Sequence, residues 1–247
     1  MQEFGLIGKQ LSHSFSKNYF TAKFENEKIL NCSYSLFELK NSSEIPSLIS
    51  SNPNLIGLNI TIPFKKDVLA YLDFQSPEVK EIGAANTIKI KRYNQSYILE
   101  GYNTDAYGFE YSLLKLLPTK NISALVLGTG GASNAVCYVL KKNNINYTLV
   151  SRTKKSNTFI YSELTESIIR NHALIINTTP LGMYPNVTSY PPIPYQYLTA
   201  EHVLFDLIYN PEETLFLKQG KLMGTKTSNG LEMLEKQAEK AWEIWQE

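Results

Sequence analysis

The chain of 247 residues predicts an α/β fold built in two parts. Three observations carry this reading. Short apolar runs alternate with helical patterns along almost the whole length, as they do where strands and helices stack in layers. A near-continuous apolar run at 122–127 enters the glycine cluster GTGGAS and opens a helix, the local order of a nucleotide-binding strand, turn and helix. Residues 229–247 then place Leu231, Leu234, Ala238, Ala241, Trp242 and Trp245 on one stripe of a final amphipathic helix.

In the first part, strands are expected at 4–7, 34–39, 56–60, 87–91 and 97–100. The last two flank Arg92-Tyr93-Asn94-Gln95-Ser96, polar and turn-prone, which makes them a hairpin. Helices are expected at 16–28, 42–50 and 64–71. A further one at 105–117 ends at Pro118, a residue that cannot easily continue a helix. In the second part a helix follows the glycines, with Ala135, Val136, Val139 and Leu140 on its apolar side. Strands at 147–150, 173–177 and 202–207 complete a parallel sheet. Asn229 and Glu232 resemble a capping box at the start of the last helix.

Composition removes several classes of function. Lys and Arg number 24 against 23 Asp and Glu, a net charge of +1, where nucleic acid or an anionic membrane demands a basic excess. Cys32 and Cys137 form no CxxC pair and sit among apolar neighbours, so buried reduced thiols are expected. His13, His172 and His202 have no ligand spacing, and no metal is expected. No apolar run approaches the roughly 18 residues of a membrane span, and the start lacks the pattern of a signal peptide. A soluble, cytoplasmic protein is expected, with small molecules as partners.

The glycine cluster and the strand after it specify a cofactor. Gly128 permits the tight turn, while Gly130 and Gly131 let backbone N–H groups approach a pyrophosphate at the helix N-terminus. Ser133 stands in the place of a third glycine. An NAD site would carry Asp or Glu at the end of the next strand, but this chain reads Val150-Ser151-Arg152-Thr153-Lys154-Lys155. A guanidinium pairs with a 2′-phosphate where a carboxylate would repel it. The cofactor is read as NADP, with Lys154 and Lys155 as substitutes for Arg152. Eight residues separate Val150 from the apolar triplet Phe159-Ile160-Tyr161. A helical crossover needs a dozen or more, so one wall of the adenine site is expected to be reduced.

Three motifs in the first part sit at strand ends, where ligands gather in open α/β sheets. They are Leu11-Ser12-His13-Ser14-Phe15-Ser16, Asn59-Ile60-Thr61-Ile62-Pro63-Phe64-Lys65 and Ile82-Gly83-Ala84-Ala85-Asn86-Thr87. Their neutral donors and acceptors, with one ammonium group, suit a small polyhydroxylated acid.

The stretches GLIGKQLSHSFS, GLNITIPFKK, IGAANTI, GYNTDAYGF, GTGGAS, SRTKK, IINTTPLGMYP, FDLIYNP and NGLEMLEKQA occur in this order from Gly5 to Ala238. The ordered set resembles the shikimate dehydrogenase family. That resemblance implies an NADP-dependent enzyme reducing 3-dehydroshikimate to shikimate, on the route to aromatic amino acids. It implies an N-terminal α/β substrate domain, 1–104 plus 230–247, and a Rossmann-like NADP-binding domain, 105–229, with the site in the cleft between them. The C-terminal helix returns to the first domain. Whether such a protein is a monomer or a homodimer is left open.

Carried over by position, the resemblance makes Lys65 the catalytic lysine, paired with Asp105. Ser14 and Ser16 would meet the substrate carboxylate; Asn59, Thr61, Asn86 and Asp105 the ring hydroxyls; Tyr209 and Gln237 would add contacts. Gly128, Thr129, Gly130, Gly131 and Ala132 would hold the pyrophosphate. Ser151, Arg152, Thr153 and Lys155 would hold the 2′-phosphate, and Thr178 through Met183, Leu207 and Gly230 would line the nicotinamide end. Gln10 and Lys17 depart from prolines common near the serine motif, and Ser151 from the usual Asn. Two rivals stay open: a quinate/shikimate dehydrogenase, and a catalytically silent sensor of shikimate-type acids.

Overall fold

The computed structural model describes residues 1–12, 14–94, 96–117 and 122–247. His13 within the serine motif, Gln95 within the hairpin turn and the expected helix stop at Pro118 lie outside the described residues. The chain forms two compact units, Met1–Thr104 with Ala238–Glu247, and Asp105–Gln237.

The first unit is built on β1 (Gln2–Gly8), α1 (Phe15–Asn26), β2 (Cys32–Glu38), α2 (Ile45–Ser51), β3 (Leu55–Ile60), β4 (Phe74–Gln75), α3 (Pro77–Ile82), β5 (Thr87–Tyr93) and β6 (Ser96–Tyr102). Its six-stranded sheet runs β2-β1-β3-β5-β6-β4, and only β5 opposes the rest. Side chains alternate along β1: Phe4 and Leu6 join Phe20, Phe24 and Trp245 on one face. Ile7 joins Leu58, Ile60 and Ile88 on the other.

The second unit holds most of α4 (Thr104–Leu116), then β7 (Ser123–Leu127), α5 (Gly131–Lys142), β8 (Asn146–Ser151), β9 (Thr158–Ile160), α6 (Glu166–Arg170), β10 (Leu174–Asn177), β11 (Val203–Asp206), α7 (Leu215–Leu222) and β12 (Lys226–Ser228). Its strands run β12-β11-β10-β7-β8-β9 and pair in parallel throughout. Read from β7 outward on both sides, this is the dinucleotide-binding strand order, with its switch point between β7 and β10.

The last helix, α8 (Leu231–Gln246), begins in the second unit and ends in the first. Its end docks through Trp245, whose Nε1 donates to the Ile88 carbonyl at 2.9 Å. Gly57 makes room for the indole, since a Cβ there would lie 2.6 Å from it. Nearer its start, α8 packs on α4 at Gly108, where a Cβ would stand 2.2 Å from the Met233 carbonyl oxygen. That close approach explains the second glycine in GYNTDAYGF.

Four expectations are corrected. Residues 64–71 form a turn and a single 3₁₀ stretch, Asp67–Tyr71, where Leu69 N–H donates to the Lys66 carbonyl and Leu72 N–H to the Leu69 carbonyl, the three-residue closure of a 3₁₀ turn. Leu231 is exposed and so leaves the apolar stripe. The capping box is not formed: Asn229 Oδ1 accepts from Leu231 N–H at 3.1 Å, and Glu232 turns to Lys115 at 2.6 Å. Both cysteines are free but only half-buried. The short connection after β8 stands as expected, with β9 pairing in parallel and no helix between them. Among the described residues no helix is long and apolar enough to cross a membrane.

Candidate active site

In the first unit the reversed strand concentrates chemistry at one end of the sheet. Thr87 pairs with Asn59 on one side and Tyr102 on the other. The start of β5 therefore lies beside the ends of β3 and β6. Gly83 sits at φ 72 and ends α3, a left-handed position that suits glycine, and this delivers Asn86 to that same end. Ala85 N–H donates to the Lys65 carbonyl at 2.8 Å, tying the loop after β3 to the loop before β5. Gly8 completes the cluster, since a Cβ there would meet Leu11 at 2.5 Å and Thr61 at 2.6 Å.

The amides and hydroxyls here are mutually satisfied. Asn86 Nδ2 donates to Thr104 Oγ1 at 3.0 Å, and its Oδ1 accepts from Thr104 N–H at 2.6 Å. Thr87 and Thr104 hydroxyls meet at 3.0 Å. Asn59 Nδ2 donates to Thr87 Oγ1 at 3.2 Å, while its Oδ1 accepts from the Tyr34 hydroxyl at 2.8 Å. Asn59, Asn86, Thr87 and Thr104 are all buried, where an unpaired polar group would cost stability. Ser14 caps α1 by accepting from Lys17 N–H; Ser16 is buried in the first turn of that helix. Thr61 and Lys65 are half-buried after β3. Asn59 and Asn86 thus belong to one network, with Thr61 and Lys65 at the same sheet end.

The other three substrate-side residues belong to the second unit. Asp105 is half-buried in the first turn of α4. Tyr209 follows β11, and partial burial pushes its phenol up. Gln237 is 6% exposed on α8, with Nε2 donating to the Leu234 carbonyl at 3.0 Å; it does not sit on a solvated face.

The glycine loop sits at the switch point of the second sheet. Gly128 has φ 111, and a Cβ there would stand 2.7 Å from Thr178 Oγ1. Thr178 in turn donates to the Leu127 carbonyl at 2.7 Å. Gly130 caps α5 without any side-chain hydrogen bond, leaving helix N–H groups directed outward. A Cβ on Gly130 or Gly131 would meet nothing within 4 Å. Ser133, in the third glycine's place, folds its hydroxyl back to the Gly130 carbonyl at 2.6 Å. This cradle fits a pyrophosphate.

Beyond β8, Arg152 and Thr153 are exposed, and Ser151 Oγ donates to the Thr153 carbonyl. Lys155 Nζ donates to Thr129 Oγ1. Lys154 pairs with Glu163 at 2.7 Å, an acid brought back by the short connection. At the other end, Gly230 lies on Leu207, where a Cβ would be 2.1 Å from the carbonyl oxygen, so these two expected nicotinamide-side residues touch.

Sequence reasoning missed Asp206. It is fully buried at the end of β11 and accepts from Thr214 Oγ1 at 2.6 Å, Asn177 Nδ2 at 3.0 Å and Ile208 N–H at 3.1 Å. Burial pushes its carboxyl up to about 6, against the pull of these donors. Asn177 Oδ1 accepts from Thr179 N–H and its hydroxyl. Asp206 and Asn177 thereby shape the two loops that carry Thr178 and Leu207. The motif FDLIYNP held the signal, but nothing local marks its Asp as buried.

A parallel sheet of dinucleotide-binding order, with a glycine cradle at its switch point and a basic loop beside it, defines a dinucleotide-binding α/β protein with a separate unit for a small polar ligand. Residues 6–88 match the family profile described as the shikimate dehydrogenase substrate binding domain. A shikimate dehydrogenase (NADP(+)) of Clostridium beijerinckii is 43% identical over 261 residues, covering 100% of this chain and 93% of that protein. The chain belongs to the shikimate dehydrogenase family. The crystal structure of a Thermus thermophilus shikimate 5-dehydrogenase in complex with NADP(H) and shikimate superposes with a TM-score of 0.85 at 30% identity, covering 99% of this chain and 93% of that one. A Corynebacterium glutamicum quinate dehydrogenase in complex with NAD superposes with a TM-score of 0.86 at 26% identity, covering 99% and 93%.

Proposed function

We propose that the protein is an NADP-dependent oxidoreductase that reversibly reduces 3-dehydroshikimate to shikimate, on the route to aromatic amino acids. The observation that carries the reading is the gathering of Ser16, Asn59, Thr61, Lys65 and Asn86 at one end of the first sheet. Family membership and the outward-facing N-terminus of α5 support it. Residues 1–104 with 230–247 form the substrate domain in this reading, and 105–229 the cofactor domain.

Gly128, Thr129, Gly130, Gly131 and Ala132 would hold the pyrophosphate of NADP, and Ser151, Arg152, Thr153 and Lys155 its 2′-phosphate. Thr178, Leu207 and Gly230 would border the nicotinamide. When bound, the cofactor supplies hydride exchange at a ring carbon. The protein does the rest. Ser14 and Ser16 donate to the substrate carboxylate. Thr61 and Asn86 orient the ring by its hydroxyls, with Asn59 beside them and Tyr209 and Gln237 adding contacts. Lys65 Nζ holds the proton that the developing alkoxide takes, and its positive charge stabilises that oxygen first. Asp105 orients the ammonium.

The test follows NADPH absorbance on addition of 3-dehydroshikimate. Rapid loss with NADPH, and slow loss with NADH, is the expected result. No loss with either would contradict the reading and leave a ligand-binding protein. Quinate oxidised with NAD as efficiently as shikimate with NADP would instead favour a quinate dehydrogenase.

A further inference from the structure

Strands β10 and β11 end side by side, with Asn177 opposite Asp206 in their parallel register. Both side chains are fully buried, and each turns back on its own chain. Asn177 Oδ1 accepts from the Thr179 N–H at 3.0 Å and from the Thr179 hydroxyl at 2.6 Å. Asp206 Oδ1 accepts from the Ile208 N–H at 3.1 Å. Such a turn fixes the residues that leave a strand. With two donors on its oxygen, the Asn177 amide has one orientation, and Nδ2 must face acceptors. It donates to Asp206 Oδ1 at 3.0 Å and to the Leu181 carbonyl at 3.3 Å. The backbone adds two links: Leu207 N–H donates to the Asn177 carbonyl at 3.1 Å, and Gly230 N–H to the Ile208 carbonyl at 3.0 Å. Thr178, Leu207 and Gly230, which border the nicotinamide in the proposed function, are thus joined through one buried amide and the carboxylate it faces.

We propose that Asn177 is a positioning residue for the nicotinamide end of the cofactor, its amide holding the loops after β10 and β11 in one fixed relation. The proposal rests on the NADP-dependent dehydrogenase reading. Hydride exchange falls off steeply when the reacting ring is displaced. A loop freed from Asn177 would leave the adenosine end to the glycine cradle and Arg152, while the ring end lost its wall. The contribution of Asn177 therefore divides the cofactor in two. Binding of the nicotinamide end depends on it, and binding of the 2′-phosphate end does not.

The experiment compares wild type with Asn177→Ala, in buffer well above the Asp206 titration at about 6, so that the carboxylate is an acceptor throughout. Calorimetry measures the binding of NADP and of adenosine 2′,5′-bisphosphate, which has no nicotinamide. The affinity for NADP should fall about fivefold to tenfold, the size of one lost buried hydrogen bond. That for the bisphosphate should stay within about twofold of wild type, which a loosening of the whole unit would not allow. The kcat for shikimate oxidation should fall about tenfold or more. An unchanged ratio of the two affinities overturns the proposal, whatever the kcat. If Asn177→Ala does not fold, Thr179→Val keeps the side-chain shape and removes one donor to Asn177 Oδ1. The ratio should then shift the same way by about twofold to threefold, and no shift overturns the proposal. A wild type that binds neither ligand overturns the cofactor reading, and the proposal with it. One that binds both but does not oxidise shikimate overturns the reading of function alone.

Discussion

Lys155 Nζ donates to Thr129 Oγ1 at 3.3 Å, so the basic loop after β8 touches the glycine loop after β7. The contact lies beside the cradle that α5 opens. Lys154 pairs with Glu163, and in the proposed reading the exposed Arg152 would be the main partner for a 2′-phosphate.

Arg152→Ala should therefore raise the KM for NADP by about tenfold or more, since a charge-assisted pair is lost. The KM for NAD, which has no 2′-phosphate, should hardly change. Steady-state kinetics with both cofactors decide the matter. Equal losses would mean that the phosphate site lies elsewhere.

The glycines of the same loop should separate in their effects. Gly128 has φ 111 and no room for a Cβ beside Thr178. Gly128→Ala should cost about 1–3 kcal/mol of stability by forcing a strained backbone and parting the two loops. Gly130 has φ −89 and open space around it. Gly130→Ala should keep the denaturation midpoint but weaken NADP binding in a titration, because its methyl would intrude where the proposed reading puts the pyrophosphate. Wild-type affinity in Gly130→Ala would show that the cofactor does not approach this loop.

Asp206 gives a prediction with a definite sign. Its carboxyl titrates near 6 in the folded chain, above the ordinary 3.8. The folded state holds this proton more tightly than the unfolded state does. Its contribution to stability is fully present below 3.8 and is lost as pH rises through about 6. Asp206→Asn removes the titration. The melting temperature of wild type minus that of Asp206→Asn should fall as pH is raised across this window, the other carboxylates cancelling in the difference. A difference that grows with pH would contradict the assignment.

Much of this was legible in the sequence where the physics is local. An apolar run, a glycine turn and a helix start are neighbours along the chain, so β7, the cradle and α5 could be read directly. Arg152 could be placed because it follows its strand at once. Partners distant in sequence could not be read. Tyr34 looked like any strand residue, and only its packing on α1 and β3 brings its hydroxyl to Asn59. Glu163 is nine positions from Lys154 and meets it because β9 lies next to β8 without a helix between. The turn at 64–71 was misjudged for a related reason. Phe64 and Val68 are buried with helical spacing, but periodicity reports which side chains face the core, not how many turns the chain has room to make.

The central claim is that Lys65 gives up the proton in the reaction, and its most direct test is the kcat of Lys65→Met. Methionine keeps most of the side-chain length and removes the charge. If Lys65 acts in the transition state, kcat with 3-dehydroshikimate should fall by about 10²–10⁴-fold or more. Shikimate affinity by titration should change far less, and NADPH affinity should be nearly unaltered. A Lys65→Met protein that binds shikimate poorly yet turns over at near wild-type kcat would contradict the account. Lys65 would then be an anchor for the substrate, and the proton donor another group.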